Sequence, residues 1–309
     1  MKISFITTVL EEEEVIDAFL DSLLKQTKQQ KELIVVDAGS RDLTVKKIKS
    51  FQKTHPTIMI RIIIVKRANR ARGRNEAIKN AKGDIIVCCD VGCSLDKNWL
   101  KNITEPFKDP KIDVVAGYYK PITNNIFEKC LAAYTCVMPD RLDPKNFLPS
   151  SRSIAFKKIA WQKVGGYPEN LDTCEDLVFA KKLKKAGFKF KIRKDAIVYW
   201  RQRKNLKEAA LQFYRYAEGD GKALYIRPQT PFLFLRYLIG GGLLVIFLAS
   251  KSLFILYTIY LILFLYLLWS VGKNFRYVRN HKAIFILPIL QFTSDFAVML
   301  GFLKGLSKK

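Results

Sequence analysis

Four carboxylates stand where a sequence of this kind can do chemistry. The near-continuous apolar runs "ELIVVD" and "DIIVCCD" end on Asp37 and Asp90, and Glu175 with Asp176 opens a helix after "PENLDTC". Runs of that texture are strands covered on both faces, and parallel sheets of such strands bind ligands in the crevice beyond their carboxyl ends. A single strand-end aspartate commonly caps the next turn. Two of them on one rim, with an acidic pair opening a helix downstream, suit a hard divalent cation with oxygen ligands that neutralises the phosphates of a nucleotide.

Basic residues supply the complement. Arg70, Arg72 and Arg74 in "NRARGRNEA" surround a helix start placed near Gly73, and a helix N-terminus beside guanidiniums is suited to phosphate. Arg74 and Asn75 are the candidates taken from this segment; a solvated basic loop is the competing reading. The cysteines (Cys88, Cys89, Cys93, Cys130, Cys136, Cys174) lack zinc-site spacing and lie far in sequence from His55 and His281, so they read as small core residues of a reducing compartment.

The elements that must position these residues follow from periodicity. "ISFITTV", "ELIVVD", "IMIRIIIV" and "DIIVCCD" alternate with helical segments, first "EEEEVIDAFLDSLLKQT", whose Glu11 to Glu14 would meet the positive end of the helix dipole. Strand–helix alternation predicts an α/β class with a mostly parallel, Rossmann-like sheet flanked by helices. Asp42 and Thr44 are expected to cap the second helix, and Asp96 the helix at "KNWLKNI". After Asp113 the expected elements are a strand "VVAGYY", a helix over 126–137, and a helix "EDLVFAKKLKKAG" closed by Gly187.

The formal charge of +25 divides into +8 on residues 231–309, which hold nine Lys/Arg against one acid, and +17 on the remainder. Outside the membrane-proximal region no basic strip interleaved with stacking aromatics accompanies it, so nucleic acid is not the expected partner. From Pro231 onward come three apolar runs, each near the roughly 20 residues of a membrane-spanning helix. The expected organisation is a domain over 1–204, an amphipathic interfacial region over 205–230, and a membrane domain over 231–309 with two or three transmembrane helices. The loop "GKNFRYVRNHK" carries four Lys/Arg, against Lys251 alone between the first two runs, which puts that loop and the N-terminal domain on the cytoplasmic side. Whether the third run, which contains Pro288 and Asp295, spans or re-enters is open at this level. "MKISFITTVL" has too short an apolar region for a secretory signal.

The stretches "EEEEVIDAFLDSLLKQT", "ELIVVDAGSRDLT", "RGRNEAIKNAKGDIIVCCD", "SIAFKKIAWQKVGGYPENLDTCEDLVFAKKLKKAG" and "QFYRY", in this order over most of residues 1–216, resemble the inverting glycosyltransferases of family 2, whose nucleotide-sugar domain has the GT-A fold. The resemblance implies that Asp37 contacts the donor nucleoside, and that Asp90 is the first acid of the family's DxD, binding the metal and the donor diphosphate. Asp176, closing "TCED", is the implied general base, with Glu175 in support. "QFYRY" is similar to the family's QxxRW motif, which carries Gln212 and Arg215 to the acceptor and diphosphate, with Tyr216 in place of tryptophan.

The implied reaction needs an acceptor hydroxyl, a carboxylate to take its proton, and positive charge on the departing diphosphate. The resemblance also implies a UDP-sugar donor, a lipid-linked or membrane-proximal glycan acceptor, and a cell-membrane location. Single transfer or short extension suits the small membrane part better than long polymerisation. One departure stands out: Gly92 occupies the place of the second DxD acid, leaving Asp90 as the carboxylate for a magnesium or manganese ion. A catalytically silent nucleotide-sugar-binding subunit of a membrane glycan synthesis or export complex is the alternative, against which Asp176 counts.

Overall fold

A computed structural model of the protein describes residues 1–29, 32–144 and 146–308; Gln30, Lys31, Lys145 and Lys309 lie outside them. The chain forms two compact units, one of residues 1–122 and 139–201, the other of residues 123–138 and 202–309. Residues 123–138 therefore cluster with the C-terminal part although they lie inside the expected 1–204 domain.

In the first unit, β1 (Ile3–Val9), β2 (Glu32–Asp37), β3 (Met59–Ile64) and β4 (Ile85–Cys88) are parallel, connected by α1 (Ile16–Leu24), α2 (Thr44–Thr54) and α3 (Arg70–Asn80). There follow β5 (Cys93–Leu95), α4 (Trp99–Thr104), β6 (Val114–Ile122), α5 (Ile126–Thr135, which belongs to the second unit), β7 (Ile154–Lys157), α6 (Lys158–Lys163), α7 (Glu175–Lys185) and β8 (Phe190–Arg201). The sheet order is β3-β2-β1-β4-β7-β6-β8-β5, with β7 antiparallel to β4 and β6, and β5 antiparallel to β8. The result is a mixed α/β sheet whose parallel half carries the strand ends of interest.

Successive residues of β1 point to opposite faces, and both faces are covered. Phe5 packs against Phe19 of α1 and Trp99 of α4, with ring centroids 6.0 and 5.5 Å apart. Ile6 joins Ile34, Ile86, Phe156 and Phe179 in the core on the other side. Cys88 and Cys89 are buried here as free thiols, and burial pushes the Cys88 thiol up to about 12.

The glutamates Glu11 to Glu14 do not begin α1 as expected. Glu11 has a left-handed backbone (φ 54°), and the side chains of the β2–α2 loop take the amides: Glu11 N–H bonds Ser40 Oγ (2.9 Å), Glu12 N–H bonds Thr44 Oγ1 (2.8 Å) and Glu13 N–H bonds Asp42 Oδ2 (3.1 Å). Asp42 also accepts from Thr44 N–H at 3.0 Å. These bonds tie the β1–α1 loop to the β2–α2 loop, and helix begins only beyond the clip.

In the second unit, α8 (Leu206–Lys222), α9 (Gln229–Ser250), α10 (Leu253–Val278) and α11 (Ala283–Leu306) join α5. Asn205 accepts from Glu208 N–H while its amide donates to Glu208 Oε1, a reciprocal cap that fixes where α8 starts. The apolar stripe of α8 (Ala209, Phe213) is buried with Leu131 of α5 and Leu287 and Leu290 of α11. α9, α10 and α11 are long and apolar enough to cross a membrane, with mean hydropathy 2.2, 2.2 and 1.8.

Candidate active site

The carboxyl ends of β1 and β2 and the N-terminus of α3 enclose a cleft of about 240 Å³ lined by Thr8, Glu12, Ala68, Asn69, Arg70 and Asp172 among others. Gly73 is required on its wall, because a Cβ there would stand 2.7 Å from Thr8 Cγ2. α3 starts a turn earlier than its sequence suggests, at Arg70, because Asn69 caps it by accepting from Arg72 N–H at 3.0 Å. Asp37, 2 % exposed at the end of β2, accepts from Gly39 N–H (3.0 Å) and from Ser40 Oγ (2.6 Å), so its carboxylate shapes the turn at the cleft's rim.

Asp90 follows β4 by two residues, in a turn closed by Cys93 N–H on the Asp90 carbonyl at 3.1 Å. Its Oδ1 accepts from Arg74 Nη2 at 2.7 Å, and Arg74 Nη1 donates to Glu175 Oε1 at 2.6 Å. Arg74 is 1 % exposed, with its guanidinium 5.5 Å from the Tyr167 ring centroid. Burial alone would raise the Asp90 carboxyl, but the charges of Arg74, Arg152 and Arg70 outweigh it and hold Asp90 below the usual carboxylate range. Burial pushes Glu175 up and the neighbouring Asp176 adds to this, with Arg74 opposing. Asp90 is therefore held as the anion beside Arg74 with part of its side chain exposed, and Glu175 is the internal partner of the same guanidinium.

Asp176 lies in the first turn of α7, where backbone N–H groups favour a negative charge. Ser150 Oγ donates to its Oδ2 at 3.0 Å and Leu177 N–H to its Oδ1 at 2.8 Å. The loop that delivers α7 is pinned from α3. Asn75 donates to Tyr167 O (2.8 Å) and Glu169 Oε1 (2.9 Å) and accepts from Trp161 Nε1 and Tyr167 N–H, while Asn69 donates to Glu169 O at 2.7 Å. Asn75 thus orders the 161–169 segment instead of lining the cleft with a free amide.

Arg152 was not among the residues singled out from sequence. Its Nη1 donates to Ser150 Oγ at 3.0 Å, the hydroxyl that serves Asp176, and its guanidinium lies 4.1 Å from the Trp200 ring centroid. It also acts electrostatically on Asp90, so one cation addresses both acids. The sequence signal was only "SRS" ahead of a strand, too common to select.

Residues 4–145 match the family described as Glycosyl transferase family 2. A Methanococcus voltae protein named dolichyl N-acetyl-alpha-D-glucosaminyl phosphate 3-beta-D-2,3-diacetamido-2,3-dideoxy-beta-D-glucuronosyltransferase is 26% identical over 99% of this chain and 97% of its own length. The chain carries a glycosyltransferase family 2 domain. Two solved structures share the fold. The mannosyltransferase PcManGT of Pyrobaculum calidifontis, in complex with GDP-Man and Mn2+, superposes with TM-score 0.68 at 19% identity over 100% of this chain and 88% of that one. S. aureus TarS in complex with UDP gives 0.53 at 15% identity, covering 100% and 92%.

Within this glycosyltransferase, the remaining expected residues separate. Gln212 and Arg215 lie on α8 in the second unit; Gln212 is buried and its amide donates to Tyr216 OH at 3.3 Å, and Arg215 is exposed. Gly92 opens onto free space, since a Cβ built there meets no atom within 4 Å. Asp96 does not cap α4 as expected: the N-cap is Asn98, and Asp96 accepts from Asn98 N–H at 3.0 Å in the turn ahead of it. Among the described residues no cluster of three or more His, Cys, Asp or Glu could hold a metal. Asp90, as one ionised carboxylate, fits a cation that keeps its other positions for water and diphosphate oxygens.

Proposed function

We propose that the protein is a membrane-anchored inverting glycosyltransferase that moves a sugar from a nucleoside diphosphate sugar to a lipid-linked acceptor at the cytoplasmic face of the cell membrane. The observation that carries this reading is the chain Asp90–Arg74–Glu175, which ties the donor-side acid to the helix whose next residue is Asp176. Asp176 is the proposed base: its carboxylate is positioned by Ser150 and Leu177 N–H, and proton removal from an acceptor hydroxyl by such a group contributes about 10² to 10⁴ in rate. Asp37 is the proposed contact to the nucleoside, and Arg70 and Arg152 supply positive charge where the diphosphate departs. Gln212 and Arg215 are proposed for the acceptor and diphosphate.

A magnesium or manganese ion would be held by Asp90 and would neutralise the diphosphate. PcManGT binds GDP-Man with Mn2+ and TarS binds UDP, which supports a nucleoside diphosphate donor; the uridine form is the donor proposed here. The M. voltae relative is named for a dolichyl-phosphate-linked sugar acceptor, which supports the lipid-linked class. The apolar helices α9 and α10 support anchoring, and four Lys/Arg at the end of α10 and just beyond support the cytoplasmic side.

The test is nucleotide release from membranes over a panel of nucleotide sugars and polyprenyl-phosphate-linked acceptors, with and without chelator. Asp176→Asn is expected to lower turnover about 10² to 10⁴-fold while still binding the nucleotide. Unchanged turnover in that variant removes Asp176 as the base.

A further inference from the structure

We infer that the third apolar helix, α11, does not cross the membrane but lies along its surface, on the side where α8 begins. The inference rests on the proposed reading of α9 and α10 as a membrane hairpin, and goes beyond it.

In a chain that crosses three times, α11 runs in the direction of α9, and its last turns stand beside the far end of α9. The contacts are elsewhere. The ring of Phe302, near the end of α11, packs 6.1 Å from that of Phe234, in the second turn of α9. Phe296 meets Tyr237 at 5.3 Å, and Asp295 is paired with Arg236 at 3.1 Å and accepts from Tyr237 OH at 3.0 Å. On α10 the partners are Tyr266, whose ring is 5.4 Å from Phe292 and whose hydroxyl bonds Asp295, and Lys273, which bonds Gln291. Residues 291–302 thus touch the first turns of α9 and the second half of α10. They cross the base of the hairpin instead of extending along it.

Over the same stretch α11 is seated on α8. Gly301 and Gly305 form a G-x-x-x-G face so close that added Cβ atoms would lie 2.3 Å from Tyr214 O and 2.1 Å from Glu218 O; one at Gly221 would lie 2.3 Å from Phe302 O. Residue numbers rise together on the two helices, so they run parallel, and Lys308 closes the seam on Glu218 at 2.6 Å. α8 carries Lys207, Glu208, Arg215, Glu218, Asp220 and Lys222 within seventeen residues. Sending the second half of α11 through hydrocarbon would take the charged second half of α8 with it.

The opposite face of α11 identifies its partner. Phe285, Ile289, Phe296, Leu300 and Leu303 are exposed, from 51 to 72 %, on the side not taken by α8, and Phe296 packs on Tyr237 of α9, whose neighbours Leu235, Leu238 and Ile239 are exposed too. An apolar face backed by a charged helix and continuous with a membrane hairpin fits the acyl–headgroup boundary of one leaflet. The occupant of this face is the bilayer, and the chain crosses it twice.

The test uses the full-length protein in right-side-out and inverted vesicles, in a Cys174→Ser background that removes the one half-exposed native thiol. Lys204→Cys, Ser250→Cys and Ser307→Cys are labelled with a membrane-impermeant maleimide, each normalised to labelling in detergent. The expected result is that Ser307→Cys follows Lys204→Cys in both vesicle types and Ser250→Cys shows the reverse. If Ser250→Cys is opposite to Lys204→Cys and Ser307→Cys follows Ser250→Cys, α11 spans and the inference is overturned with the hairpin intact. If all three label from one side, the hairpin reading itself fails.

Discussion

Arg74 holds Asp90 and Glu175 at once, through Nη2 at 2.7 Å and Nη1 at 2.6 Å, from a helix interior where it is almost wholly shielded from water. The planar, always-charged fork presents a separate terminal nitrogen to each carboxylate in a fixed geometry. The pair of bonds links α3, the turn after β4, and the first residue of α7. Those are the elements that bring Asp90 and the helix carrying Asp176 into one unit.

Arg74→Ala leaves two carboxylates without their cation, one of them deeply buried. Removing one partner of a buried ion pair costs about 3–5 kcal/mol, which thermal unfolding in detergent reads directly. Arg74→Lys keeps the charge but not the fork, so it is expected to retain most of the stability and lose nucleotide affinity, measured by titration with the nucleoside diphosphate.

Gly92 has open space where a side chain would project. Gly92→Asp is therefore expected to fold normally and to supply a second carboxylate to a cation, tightening manganese binding without disturbing Asp90. Manganese titration by paramagnetic relaxation of water protons checks it; unchanged affinity shows that residue 92 does not face the cation.

Arg152 bonds the hydroxyl that serves Asp176 and its charge also favours the Asp90 anion. Arg152→Ala is expected to lower kcat about 10² to 10³-fold, the size seen when one stabilising donor at developing negative charge is removed, with a smaller change in KM. Turnover with a donor bearing a better leaving group should recover part of the loss. A purely structural role leaves that recovery at zero.

The glycines of the second unit divide by what surrounds them. At Gly305 a Cβ would press on the Glu218 carbonyl, so Gly305→Leu forces α8 and α11 apart and is expected to cost about 1–3 kcal/mol in thermal unfolding. At Gly242 nothing lies within 4 Å, and Gly242→Ala is expected to be neutral or slightly stabilising, because alanine is the better helix former.

Local pattern was enough for much of this molecule. The apolar runs ending on Asp37 and Asp90, the helix opened by Glu175 and Asp176, and the long apolar segments after Pro231 are short-range signals, set by which side chains fit a covered strand, a helix start or hydrocarbon. The sequence by itself determined the α/β class, the family and the acids at strand and helix ends. Tertiary structure decided what those residues share. Arg74 read as one of three loop arginines, and only the fold, by bringing α3 against the start of α7 across 101 positions of chain, made it the clasp between two carboxylates. Glu11 to Glu14 looked like a helix start until Ser40, Asp42 and Thr44 took the amides of the first three. Arg152 gave no signal, since Asp90 and Trp200, which are far from it in sequence, come near it only in the folded sheet. The path of α11 was open for the same reason: hydropathy fixes what a helix can cross, and the glycine seam with α8 fixes where it lies.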